Sequence, residues 1–158
     1  MEISARVEFP ADPDRVFAML TDKGYLDRVC QASHAEAYTT SVEGRTTTTS
    51  RTLPAPEMAA RFTGPTLTVA ERIEWGEPGP DGSRTGTATL TIPGQPVEMK
   101  GRLVLSAGGP GSVLELTGDL KVSIPLLGRK LEQSAAPAVL AGFEVQQQVG
   151  ADYLATAS

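Results

Sequence analysis

The sequence is poor in the residue types that build most recognisable catalytic and metal centres. It has one cysteine, Cys30, and one histidine, His34. An internal disulfide is therefore excluded, and a structural zinc site of the usual type lacks its ligands. Lys and Arg are not clustered, and the formal charge is −5 with a pI near 4.9. Neither nucleic acid nor an anionic membrane surface is expected as a partner. No apolar run approaches the roughly 18 residues of a membrane span. The opening MEISARVEFP alternates charged and apolar residues, unlike a basic patch followed by an apolar core. The expected location is cytoplasmic, without integral membrane association. Nucleophile-elbow, P-loop and dinucleotide-binding motifs are missing from the required strand and helix contexts, and EPGPDG and GGPG read as turns. No cofactor or metal is expected.

What is present is an ordinary globular composition, 40% apolar and 21% charged, which argues against a disordered chain. At 158 residues the chain is read as one domain, 1–158, able to bury roughly 70% of its unfolded surface. Ile3, Ala5, Val7 and Phe9 alternate with polar residues as in a half-buried strand. Asp12 followed by Pro13 marks a helix start, with Val16, Phe17 and Leu20 on one face. A second short helix is expected over 22–31. From 33 to 124 the period becomes two: HAEAYTTSVE, RTTTTSRTL, TLTVAERIEW, TGTATLTI, VEMKGRLVL and SVLELTGDLKVSI are separated by turn residues. Six turn-linked strands predict an antiparallel meander. PAPEMAARFTG, 54–64, interrupts it as a short helix or loop.

The last segment, about Gly128 to Leu154, is some 40 Å long as a helix. Its apolar stripe of Leu127, Leu131, Ala135, Ala138, Gly142, Val145 and Val149 is shallow. Within QSAAPAVLAG, 133–142, six residues are Ser, Ala or Gly. Pro137 removes a backbone donor there, which predicts a kink or break near Gln133 to Ala136, with Ser134 as the N-cap of a second half-helix.

This order of elements resembles the START-like (SRPBCC, helix-grip) superfamily over nearly the whole chain. LTVAERIEW (67–75), GQPVEMKGRLVL (94–105) and VSIPLLGRKLEQ (122–133) together resemble the family called domain of unknown function 2505. The resemblance implies an α+β helix-grip fold: a curved antiparallel sheet of about seven strands wrapped around a long C-terminal helix, with two short helices after the first strand. It also implies an apolar cavity between sheet and helix. It carries no catalytic motif, because carriers, cyclases, dehydratases and chaperone-associated domains share the scaffold.

Strand parity then predicts the cavity wall: Leu67, Val69, Ile73 and Trp75; Ala88, Leu90 and Ile92; Val97, Met99, Leu103 and Leu105; Leu114, Leu116, Leu120, Val122 and Ile124. A large aliphatic sheet face opposes a helix of small residues. A void of about 300 Å³ left unfilled costs roughly 7 kcal/mol, comparable with a whole domain stability of about 5 to 15 kcal/mol. Either the helix collapses inward around Ala135 to Gly142, or solvent or ligand fills the space.

The candidate ligand-binding set is Leu67, Val69, Glu71, Ile73, Trp75, Leu90, Met99, Leu103, Leu116, Leu131, Ala135, Ala138, Gly142 and Val145. Glu71 shares parity with its apolar neighbours, and a carboxylate aimed inward requires a partner or a raised pKa. Arg51, on the neighbouring strand, is placed to supply one. An ion pair, a register that turns Glu71 outward, a ligand anchor and a general acid/base are all open. Cys30 and His34 are too weakly related by spacing to define a catalytic pair, and His34, Glu36 and Tyr38 read as a solvated face. The expected partner is a small hydrophobic or amphipathic ligand, a lipid among them, with no protein partner indicated. The alternatives are a cyclase- or dehydratase-like enzyme using Glu71, and an interaction domain with a collapsed core.

Overall fold

The computed structural model describes residues 1–156. Strand β1 (Glu2–Phe9) leads into helices α1 (Pro13–Leu20) and α2 (Lys23–Ala32). Strands β2 (Ala37–Glu43) and β3 (Thr46–Pro54) form a hairpin, and the four-residue helix α3 (Ala60–Thr63) precedes β4 (Thr66–Trp75), β5 (Arg84–Thr91), β6 (Val97–Gly108) and β7 (Gly111–Val122). Helix α4 (Gly128–Thr156) completes the fold. The seven strands form one antiparallel sheet in the order β1-β7-β6-β5-β4-β3-β2, curved around α4. The expected α+β helix-grip architecture is the one observed.

Local signals account for the element boundaries. The Asp12 carboxylate accepts from the Arg15 amide at 2.9 Å, and Pro13 occupies the first turn of α1, where its missing N–H has no intrahelical partner to lose. The β2–β3 hairpin turns at Gly44, whose φ of 61° suits a residue without Cβ. In the bend of the sheet Gly101 pairs with Gly118. A Cβ on Gly101 would lie 2.8 Å from Leu116 Cδ1, so the absence of a side chain lets Leu116 pack over the strand.

Pro137 does not break the last helix: α4 runs uninterrupted through 29 residues. It begins at Gly128, so Ser134 is not an N-cap. The bond lost at Pro137 is the one to the Gln133 carbonyl, four residues back. Both residues are exposed, which leaves that carbonyl accessible to water, while Ala136 beside them is buried. The start of α4 is tied to the sheet by Glu132, whose carboxylate accepts from the Val122 amide at 3.0 Å. This hydrogen bond holds the Glu132 carboxyl below the usual carboxylate range.

The core is continuous from β1 to the C-terminal half of α4. Phe9, Val16, Met19, Leu105, Leu114, Leu116 and Leu154 are all buried. Burying a side chain of this kind contributes about 1.5 to 3 kcal/mol, so this end of the molecule anchors the grip. No helix is long and apolar enough to cross a membrane among the described residues.

Candidate functional site

Between the sheet and the N-terminal half of α4 the packing opens. A cavity of about 140 Å³ is lined by Leu67, Val69, Leu90, Ile92, Val97, Met99 and Leu120 from the sheet. Ala135, Ala138, Val139, Gly142, Phe143 and Gln146 line it from α4. On its inner side lies a smaller cavity of about 40 Å³, bounded by Tyr25, Leu26, Val29 and Cys30 of α2 and by Ile73, Trp75, Ala88 and Leu103 of the sheet. The two share Arg51, Glu71, Met99, Phe143 and Gln146 as a common wall. On the outer side a cavity of about 70 Å³ lies among Phe62 of α3, Ile92, Val122, Leu131 and Ala135.

The opening follows from residue size. A Cβ placed on Gly142 meets nothing within 4 Å, and the neighbouring lining positions Ala135 and Ala138 carry only a methyl group. Left empty, 140 Å³ costs about 3 kcal/mol. That is smaller than the penalty expected from sequence because the cavity is smaller, with Phe143 forming part of its wall from the helix.

Most of the sequence-derived candidates face this space. Leu67, Val69, Glu71, Leu90, Met99, Ala135, Ala138 and Gly142 line the central cavity. Ile73, Trp75 and Leu103 line the inner one, and Leu131 the outer one. Two do not belong to any of the three walls: Leu116 is fully buried over Gly101, and Val145 packs against the core. Val145 falls outside because the α4 side of the central cavity is formed by Ala135, Ala138, Val139, Gly142, Phe143 and Gln146. The stripe read from the sequence shares Ala135, Ala138 and Gly142 with this lining but omits Phe143, the largest side chain from the helix. Tyr25 and Val29, spaced four apart, were the available signal that α2 also presents an apolar face to the interior.

Polar groups are few and concentrated where the inner and central cavities meet. Glu71 faces Thr49 across the β3–β4 ladder and Arg51 faces Val69, so both charged side chains lie on the concave face. They form no ion pair with each other among the described residues, contrary to the simplest structural expectation. Arg51 Nε is buried without a hydrogen-bond partner there. The Tyr25 hydroxyl donates to the Gln146 carbonyl at 3.1 Å. Burial, reinforced by the nearby Glu71 carboxylate, pushes the Tyr25 phenol well above its ordinary value, keeping it protonated. Burial also raises the Cys30 thiol, against an opposing pull from Arg51.

Cys30 and His34 do not form a pair: Cys30 is buried at the cavity wall, whereas His34 is exposed with a φ of 59°. Tyr38 is half-buried and its hydroxyl accepts from Gln31 Nε2 at 2.8 Å, away from the cavity. It is thus turned toward α2 instead of lying on a fully solvated face. Among the described residues no three His, Cys, Asp or Glu side chains converge on a common metal position.

A curved antiparallel sheet closed by one long helix around such a cavity defines the START-like class of folds. Solved structures match over essentially the full chain. TTHA0849 from Thermus thermophilus is 20% identical with a TM-score of 0.68, covering 100% of this chain and 99% of its own. A STAR-related lipid transfer protein from Xanthomonas axonopodis is 16% identical with a TM-score of 0.63, covering 97% and 85%. A START superfamily protein from Mycobacterium smegmatis is 14% identical with a TM-score of 0.59, covering 97% and 98%. No curated protein matches the sequence. Residues 4–154 match the family described as protein of unknown function (DUF2505), and the chain belongs to that family.

Proposed function

We propose that this protein binds a small hydrophobic or amphipathic molecule, a lipid among the candidates, in the cavity between the sheet and α4, with residues 1–158 acting as one unit. The apolar part of the ligand lies along Leu67, Val69, Leu90 and Met99 of the sheet and Ala135, Ala138 and Gly142 of the helix. Its polar end lies against Arg51 and Glu71. The observation that carries this reading is the buried Nε of Arg51, unpartnered among the described residues, beside a cavity whose wall is mainly apolar. A buried charged donor without an acceptor is costly, so a molecule that supplies the acceptor while filling apolar space gains affinity from both. START-like carriers on the same scaffold agree with this reading without naming a ligand.

Native mass spectrometry of the protein purified without additives tests it directly. Binding predicts a species heavier by the mass of a small amphiphile that disappears on denaturation. Bare protein, together with failure to take up any added amphiphile, would contradict it.

Catalysis is the second reading, favoured by one observation: Glu71 lines both cavities and has no hydrogen-bond partner among the described residues. A general base of this kind needs a raised affinity for protons and a substrate within reach. Loss of product formation in Glu71→Gln, with ligand uptake retained, would establish it. The collapsed interaction domain required a closed core, which the central cavity argues against.

A further inference from the structure

We propose that the head group received at Arg51 and Glu71 is net-neutral and both accepts and donates a hydrogen bond, as an amide or a hydroxyl does, and that the pocket discriminates against free carboxylates. The inference rests on the binding reading above and concerns which amphiphile the cavity takes.

The two charges in the cavity wall make opposite demands. Arg51 has only donors, and its buried Nε lacks an acceptor. An ionised Glu71 is acceptor-only and needs a donor. Neither demand is met among the described residues: the two side chains form no ion pair with each other, and the neighbouring Tyr25 hydroxyl already donates to the Gln146 carbonyl. Since both residues border the inner and central cavities, a head group at their junction meets both at once. A carboxylate satisfies Arg51 but sets an acceptor against the Glu71 carboxylate. An ammonium group satisfies Glu71 and sets a donor against Arg51. A zwitterion matches both but must give up its hydration in a cavity whose other walls are largely aliphatic, an expensive transfer. An amide or hydroxyl supplies acceptor and donor together at a much smaller desolvation cost.

Calorimetric titration at neutral pH with decanamide, decanol, decanoate and decylamine separates the outcomes, since these share one chain length and differ in the head. The expected result is binding of the amide and alcohol about tenfold or more tighter than the acid and the amine, the size of effect expected from setting a charged head group against a like-charged side chain of the wall. In Glu71→Gln the wall becomes net positive, so decanoate gains at least that factor and the discrimination closes. In Arg51→Met the same gain passes to decylamine. Equal affinities for all four, or tighter decanoate in the wild type, would overturn the head-group assignment while leaving the cavity as a binding site. No binding by any of the four would overturn the binding reading itself. Circular dichroism and thermal melts confirm that the variants fold, and the wild-type ranking decides the matter if one does not.

Discussion

Two glycines on α4, about two turns apart, occupy opposite kinds of surroundings. At Gly150 any side chain forces its neighbours to shift: a Cβ there would lie 2.7 Å from Phe9 Cδ1 and 3.0 Å from Met19 Cε, and closer still to Phe9 Cε1. At Gly142 a Cβ meets nothing within 4 Å. The first glycine lets the helix press against β1 and α1, while the second leaves space over β3 to β6. One helix thus serves as the structural clamp at its C-terminal half and as the roof of a cavity at its N-terminal half. Glycine in a helix is therefore not one signal: only the partner across the interface decides whether the missing side chain permits contact or creates space.

Breaking the tight half is expected to have the largest effect. Gly150→Leu forces a side chain into the Phe9 and Met19 contact and destabilises by about 3 kcal/mol or more, seen as a large fall in the denaturant midpoint. An unchanged midpoint would mean that the C-terminal half is as loose as the N-terminal one.

Alkaline titration reads the cavity wall next. Tyr25 and Cys30 both have folded-state pKa values above their ordinary 10.0 and 9.0. Above those ordinary values the unfolded chain loses protons that the folded chain retains, so stability is complete below them and falls as pH rises toward the folded values. The slope for a buried phenol such as Tyr25 is about 1.4 kcal/mol per pH unit. A stability profile flat across this alkaline range would show that water reaches these groups freely.

Tyr25→Phe sharpens the boundary between the halves. It removes the hydrogen bond to the Gln146 carbonyl at a cost of about 1 kcal/mol and makes the alkaline decline shallower. Smallest in magnitude and opposite in sign, Gly142→Ala gains helix propensity without meeting a neighbour, stabilising by roughly 0.5 to 1 kcal/mol. Thermal melts of Gly142→Ala and Gly150→Ala side by side should move in opposite directions.

The sheet was legible because strand parity is a local property. Ile73, Leu90 and Met99 alternate with polar or charged neighbours, and one buried face leaves a single workable register. The same parity placed Glu71 and Arg51 inward. It did not reveal that they stay unpaired, because the distance between side-chain ends depends on rotamers and on the wall opposite. The helix was less legible. Small residues pointed to space near Gly142, but the angular position of the stripe, and with it the role of Phe143, depends on how α4 is rotated against the sheet. That rotation is set by Phe9, Met19 and Gly150 at the far end, contacts remote in sequence. Pro137 misled for a related reason: its effect depends on whether the lost bond faces solvent, and here it does.

The space beneath Gly142 is the ligand pocket proposed for this protein. Its most direct test is titration of decanamide into wild type and Gly142→Leu, both verified as folded by circular dichroism. Leucine at this position extends into the cavity, so affinity is expected to fall at least about tenfold with thermal stability retained. Undiminished binding by a folded Gly142→Leu protein would contradict it and move the binding site away from the helix–sheet cavity.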